Sequence, residues 1–525
     1  MNWSKFQQAV FDFVENIYNG SCVINAVAGS GKTTTIVECA IRAVKQFPAK
    51  LNQWGKYNAQ ICFMAFNNSI VKELTAKIEK RGVEGVEVKT LHSQGRSALA
   101  KKYYSLFGHR VPQDWVDAYK WTDIINRKAP ELTSASLDED EIPSFCTTCK
   151  RLFDKCRVEL VKGGETRRID EVAEHYGIDL YFDEVEVVSE LLRTAYSATT
   201  DNLTKIDYTD MICISATSLK SFVPKYEIVF VDECQDLNNA QRELLLNSMT
   251  PNGRFVAVGD PKQAINGFAG ASCNSFALLK ALANGKELPL SVCYRCGSKI
   301  IDLAKRLVPN ICSANGAIEG EISHTKDLTT IKGGDMVLCR KTAPLVSLCL
   351  KYLANGVLAQ VKGKEVLEGI VTLINKTKAK SLDSLTTKLN KELTKMANNL
   401  AKKGVCNVDE NPKYVALSDK IDCILAVAEK CTKVSEVVDR LSSLFADKTD
   451  TDAIVLSTIH KAKGLEADNV YIIVPDKLPL TYKGQKEWEY AQELNLKYVA
   501  ITRAKKHLTF VDLTEEQLTA YQFTA

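Results

Sequence analysis

Residues 25–35 read NAVAGSGKTTT, a turn of small residues that delivers a lysine and a threonine to the start of a helical stretch. Residues 21–26 (SCVINA) form the short apolar run of a buried strand, and residues 33–44 carry Ile36, Val37, Ala40, Ile41 and Val44 on one helical face. Strand, loop and helix in that order make a nest of backbone N–H groups at a helix N-terminus, which is a phosphate site. Ala28, Gly29, Ser30, Gly31 and Thr34 line this loop. The amides of Gly29, Ser30 and Gly31 are placed to wrap a β-phosphate, Lys32 to neutralise the β/γ oxygens, and the Thr33 hydroxyl to hold Mg²⁺. Ala26 occupies the position where a glycine usually opens the motif, a substitution small enough to let the turn close.

A second phosphate-site element follows at residues 226–236, YEIVFVDECQD, an apolar strand ending in Asp232 and Glu233. A carboxylate at a strand's C-terminal end can hold Mg²⁺ through water, and Glu233 beside it can orient or deprotonate an attacking water. A third apolar run, residues 254–260 (RFVAVGD), leads into PKQAINGFAGA. There Gln263 stands where it can touch a γ-phosphate, and Phe268 offers a flat face for stacking.

A chain of 525 residues has room for about two to four domains. Its net charge of +4 permits a nucleic-acid partner if the positive charge is grouped along a groove, but does not demand one. No apolar run is long enough to span a bilayer, so no membrane partner is expected, and the opening MNWSKFQQAVFDFV lacks the pattern of a secretory leader. The expectation is an intracellular protein of cytoplasm or nucleoid, or of the host cytoplasm for a viral chain. Seventeen scattered cysteines fit reduced thiols. Cys146, Cys149 and Cys156 supply three thiolates, with His175 or Cys213 as a conceivable fourth ligand. The absence of a second close pair favours free thiols on helices over a metal site.

The order of motifs resembles that of superfamily 1 DNA helicases of the UvrD/PcrA/Rep type, with wording especially similar to the helicase portion of the F-box DNA helicases. The resemblance runs from residue 3 to about residue 509. It rests on Gln7 in WSKFQ, AVAGSGKT, AFNNSIVKEL (65–74), KTLHS (89–93), VDECQD, VGDPKQAINGFAGA, LSVCYRCG (290–297), STIHKAKGLE (457–466) and YVAITRAKKHL (498–508). It implies an α/β fold of two RecA-like P-loop NTPase domains, parallel sheets flanked by helices, with two mainly helical inserted subdomains. Residues 1–93 and 200–290 would form the first RecA-like domain, 94–199 its insertion, 291–362 and 450–525 the second, and 363–449 a short second insertion.

The resemblance also implies roles. Lys32, Asp232, Glu233, Gln263, Arg295 and Arg503 would carry catalysis, the two arginines because charge spreads over the γ-phosphate oxygens during transfer. Arg503 is expected in a turn-to-helix segment after residues 497–501. Gln7 would read the adenine edge, Tyr294 would stack on the base, and Gly464 and Glu466 would lie near the ribose and phosphates. Phe66, Asn68, His92, Phe268, Thr458 and His460 stand where the family contacts single-stranded DNA. Two departures are visible. The stretch after Gln263 lacks an aromatic and an arginine of the family pattern, and the second insertion is much shorter than in UvrD. The implied activity is ATP- and Mg²⁺-dependent translocation on single-stranded DNA, 3′-to-5′, with duplex unwinding in replication, repair or recombination. Single/double-strand junctions are the implied substrates, and replication or recombination proteins the candidate partners. A translocase that strips or loads proteins without processive unwinding stays open, as does an RNA helicase of the same superfamily.

Overall fold

The computed structural model describes residues 3–51, 57–65, 67–265, 267, 274–402, 407–445 and 452–522. The chain folds as two compact units, Met1–Val27 with Gly31–Leu290, and Ser291–Ala525 with Ala28–Ser30. Each is built on a six-stranded parallel sheet, so the expected α/β class is borne out.

In the first unit's six-stranded sheet the strands are β1 (Cys22–Ala26), β2 (Ile61–Ala65), β3 (Val86–Thr90), β4 (Tyr226–Val231), β5 (Met249–Gly259) and β6 (Glu287–Leu290), in the order β3-β2-β4-β5-β1-β6. Several of these read as unbroken apolar runs because parallel strands are covered on both faces. Alternate residues enter opposite cores. Ile24, Phe63, Phe230 and Val256 pack with Phe11, Ile36 and Leu74, while Val23, Met64, Val229 and Phe255 pack with Ile212, Leu244 and Leu279.

The strand order decides where the motifs meet. The chain leaves β1 for the glycine-rich loop, β4 for Asp232 and β5 for Asp260, and these strands are neighbours, so all three elements emerge at one C-terminal edge. Strands β2 and β3 deliver residues 67 and 68 and His92 to the same edge.

Beyond β3 the helix Leu91–Phe107 runs through position 93, where a domain boundary was expected. Helices Lys120–Leu132, Ile142–Val158, Thr166–His175 and Glu184–Ala195 then surround a core of their own, with Trp121, Phe145, Leu152, Phe153 and Leu191. Cys146, Cys149 and Cys156 are buried on the second of these helices as free thiols, and no group of three or more metal-ligating side chains occurs among the described residues.

The strands of the second unit's six-stranded sheet are β7 (Glu321–Thr325), β8 (Met336–Cys339), β9 (Ala359–Lys362), β10 (Ile454–Thr458), β11 (Ala467–Ile473) and β12 (Ala504–Val511), in the order β7-β12-β11-β8-β10-β9. The inserted helices Lys364–Thr377, Leu382–Lys402, Pro412–Ala428 and Val434–Leu444 have no core apart from the sheet's. Ile370, Leu389, Ile421 and Leu441 belong to one apolar cluster with Val337, Leu345, Val361 and Leu456. No helix among the described residues is long and apolar enough to cross a membrane.

Candidate functional site

The loop after β1 turns on Gly29 and Gly31, whose φ of +67° and +76° suit glycine, and Gly31 caps the helix Lys32–Val44. The first turn of that helix, with Lys32, Thr33 and Thr34, presents amides that no intrahelical carbonyl can satisfy. Ser30 is buried, and its Oγ has no hydrogen-bond partner among the described residues. An orphaned buried hydroxyl inside an amide nest fits an oxyanion ligand.

Lys32 faces three carboxylates. Its Nζ lies 3.3 Å from Glu233 Oε1. Burial alone would lower the Lys32 pKa, yet Glu233, Asp260 and Asp232 together hold it raised. Thr33 Oγ1 donates to Asp232 Oδ2 at 3.4 Å. Burial first, and the charge of Glu233 second, push Asp232 up to about 7; burial also raises Asp260. Buried negative charge in excess of one lysine favours an added cation. The oxygens of Thr33 and Asp232 are too few to hold Mg²⁺ alone but fit an ion that keeps waters and shares phosphate oxygens.

Glu233 has a φ of +53°, a left-handed conformation that a glutamate adopts only when its surroundings impose it. Gln235 Nε2 donates to Glu233 Oε2 at 2.5 Å, and Gln235 Oε1 accepts from the Asp260 amide at 3.1 Å. Asp260 Oδ2 in turn accepts from Gln263 Nε2 at 2.7 Å. Gln235 and Asp260 were not singled out in the sequence, although the glutamine two positions after Glu233 was the available signal. Gln7 is buried, donates from Nε2 to Thr35 Oγ1 at 3.1 Å, and accepts from the Ser4 amide in the capping box of helix Lys5–Glu15.

In the second unit Arg295 and Arg503 converge on Thr502. Arg295 pairs with Glu466 at 2.5 Å and donates to the Thr502 carbonyl at 3.4 Å. Glu466 also pairs with Lys505 at 2.8 Å, beside Gly464 at φ +88°. Arg503 is 1% exposed and donates to the carbonyls of Val499 (3.0 Å) and Leu465 (3.1 Å). It lies between helix Glu487–Ile501 and strand β12, which corrects the expected turn-to-helix setting: AKKHLTFV pairs in parallel with β7 and β11. Tyr294 is half exposed.

Of the residues assigned to a strand-binding track, Phe66 and Phe268 lie outside the described residues. Asn68 is exposed at the start of helix Asn68–Lys80, one position after its cap, Asn67. His92 is half-buried in the first turn of helix Leu91–Phe107. Its ring stands edge-on to Tyr208 at 6.5 Å, and Tyr208 is 58% exposed. Thr458 is buried at the end of β10, and His460 follows it with a pKa depressed to about 3 by burial and by the charges of Arg340 and Lys461.

The segment before Tyr208 is held by a buried ion cluster that joins it to the helical insertion. Arg157 donates to Asp207 at 2.7 Å and to Asp210 at 3.0 Å, and Lys120 reaches Asp210 at 2.7 Å. Burial works against Asp207, but Arg157 outweighs it and keeps its carboxyl low, while burial and the charge of Asp207 push Asp210 up.

Residues 6–283 match the UvrD/REP helicase N-terminal domain and residues 276–515 the UvrD-like helicase C-terminal domain. The ATP-dependent DNA helicase Rep of Buchnera aphidicola subsp. Acyrthosiphon pisum is 25% identical over 319 residues, covering 56% of this chain and 43% of Rep. A probable DNA helicase of Mycoplasma pneumoniae is 23% identical over 517 residues, covering 96% of this chain and 82% of that protein. The F-box DNA helicase protein 1 of Schizosaccharomyces pombe is 24% identical over 318 residues, 55% of this chain and 34% of the other. The chain thus spans less than half the length of Rep and of the F-box protein. These matches bear out the resemblance carried by the motifs.

Proposed function

The chain belongs to the UvrD/Rep helicase family, and on that premise we propose that it is an ATP-driven motor that moves along single-stranded DNA, 3′-to-5′, and unwinds duplex at a single/double-strand junction. The observation that carries this reading is the pairing of Lys32 with Glu233 at 3.3 Å beside Thr33 and Asp232, at the edge where β1, β4 and β5 end. Lys32 and the loop amides bind the β/γ-phosphates of ATP, and Glu233 takes a proton from the attacking water. Mg²⁺, held by Thr33 and Asp232 partly through water, would neutralise phosphate charge. Gln263 senses the γ-phosphate, and Arg295 and Arg503 stabilise charge in the transition state, as the family's pattern supports. Tyr294 stacks on the base, Gln7 reads its edge, and Gly464 and Glu466 border the nucleotide.

By the family's pattern, Asn68 and His92, with Phe66 and Phe268, contact the strand on the first unit, and Thr458 and His460 contact it on the second. The exposed ring of Tyr208 beside His92 joins the first unit's contacts, since a flat aromatic face accepts any base at about 1–3 kcal/mol. The test is strand displacement on duplexes with 3′ or 5′ single-stranded tails, in DNA and in RNA, with ATP and Mg²⁺. Displacement of the 3′-tailed DNA substrate supports the reading. ATP turnover stimulated by single strands without any displacement would instead favour a protein-removing translocase, and displacement of RNA duplexes alone an RNA helicase.

A further inference from the structure

Glu233 does not stand alone at the end of β4. Its Oε2 accepts from Gln235 Nε2 at 2.5 Å, and the other end of that same amide, Oε1, accepts from the backbone N–H of Asp260 at 3.1 Å. Asp260 then holds the far side. Its Oδ1 accepts from the Lys262 amide at 3.0 Å, and its Oδ2 from Gln263 Nε2 at 2.7 Å. Gln235, Asp260 and Gln263 are all buried. The amide's orientation follows from its neighbours, because a flipped Gln235 would set an oxygen against the Glu233 carboxylate and an NH₂ against an N–H. Gly259 leaves the room this needs. A Cβ there would run into Gln235 Oε1 and lie 2.8 Å from Cys234 Sγ.

We infer that Gln235 is a positioning residue for hydrolysis, one side chain that fixes the carboxylate taking a proton from water and, through Asp260, the Gln263 amide at the γ-phosphate. The inference rests on the nucleotide site proposed above. A carboxylate held at a left-handed backbone position takes its direction from its partners; Lys32 pairs with Oε1 of Glu233, and Gln235, which bridges two strand ends, fixes Oε2. The chemical requirement is specific. A donor must face Glu233 and an acceptor must face Asp260, so neither glutamate nor an apolar residue of similar size can replace the amide.

The experiment compares ATP turnover of wild type, Gln235→Glu, Gln235→Met and Gly259→Ala with oligo(dT) and Mg²⁺, beside affinity for a fluorescent ATP analogue and melting temperature. Gln235→Glu is nearly isosteric and keeps the acceptor toward Asp260, so it should fold. The expected result is a kcat lowered about 10²-fold in all three variants, with the KM for ATP and analogue affinity within about threefold of wild type. Adding Gln235→Met to a Glu233→Gln protein should cost less than the product of the two single losses, because one of the two groups that Gln235 positions is already gone. A Gln235→Glu protein that turns over within about threefold of wild type overturns the inference, as does a loss in kcat matched by lost nucleotide affinity and a lowered melting temperature. A wild-type protein that hydrolyses no ATP overturns the nucleotide reading itself and takes this inference with it, an outcome distinct from an active wild type beside an equally active variant.

Discussion

Lys32 Nζ and Glu233 Oε1 are 3.3 Å apart, although one opens a helix after β1 and the other follows β4. β5 lies between those strands and contributes Asp260 from its own C-terminal end. One lysine thus answers the charges of Glu233, Asp260 and Asp232, and it remains charged despite burial because they outweigh the desolvation cost. Replacing Lys32 by alanine removes that compensation and should abolish ATP binding, read as loss of analogue affinity, while the fold survives; a Lys32→Ala protein that binds ATP as wild type does would move the phosphate site elsewhere.

Arg503 is tied to the carbonyls of Val499 and Leu465 and is 1% exposed. Arg503→Ala should therefore do two things. It should lower the melting temperature, since buried carbonyls lose their donor, and lower turnover per folded molecule by about 10³-fold if the guanidinium also reaches the transition state. Single-strand affinity without nucleotide should hardly change. An equal loss of DNA affinity would place Arg503 in the strand-binding track.

Arg157 sits in a buried ion cluster that ties the insertion to the segment after it, between Asp207 and Asp210 and near the rings of Phe153 and Trp121. Arg157→Met leaves two buried carboxylates with Lys120 as their remaining cation in this cluster. Removing one partner of such a cluster costs about 3–5 kcal/mol, so chemical denaturation should show a loss of that order. A loss below about 1 kcal/mol would mean that the cluster is open to solvent.

His460 gives a prediction for pH. Burial, then the charges of Arg340 and Lys461, depress its pKa to about 3, whereas an unfolded histidine titrates near 6.5. Between these values the unfolded chain binds a proton that the folded chain refuses, so stability contributed by neutral His460 is full above about pH 6.5 and falls away as the pH drops toward 3. The melting temperature of wild type should fall more steeply than that of His460→Gln between about pH 7 and pH 5. Parallel curves would contradict the half-buried, neutral histidine.

The parts of the site readable from sequence are those whose chemistry is local. The turn at residues 26–33 and the pair Asp232–Glu233 announce themselves because each is a few consecutive residues at the end of an apolar run. Contacts created by strand order are not written that way. Gln235 meets the Asp260 amide because β4 and β5 are neighbours, and Tyr208 meets His92 because the chain returns from a long helical insertion to the strand edge it left. The second insertion was legible as helical, with Leu389 and Leu400 at helical spacing and buried, but not as part of the sheet's own core, since an amphipathic face does not name what it packs against. Arg503 was misplaced for a similar reason. AKKHLTFV has a polar start that suits many settings, and its strand depends on pairing with β7 and β11.

The most direct measurement of the central claim is steady-state ATP hydrolysis with and without oligo(dT), on wild type and Glu233→Gln side by side. DNA should stimulate the wild type, and Glu233→Gln should bind the ATP analogue at near wild-type affinity while its turnover falls by about 10²-fold or more. A Glu233→Gln protein that hydrolyses ATP at the wild-type rate on oligo(dT) would contradict that claim.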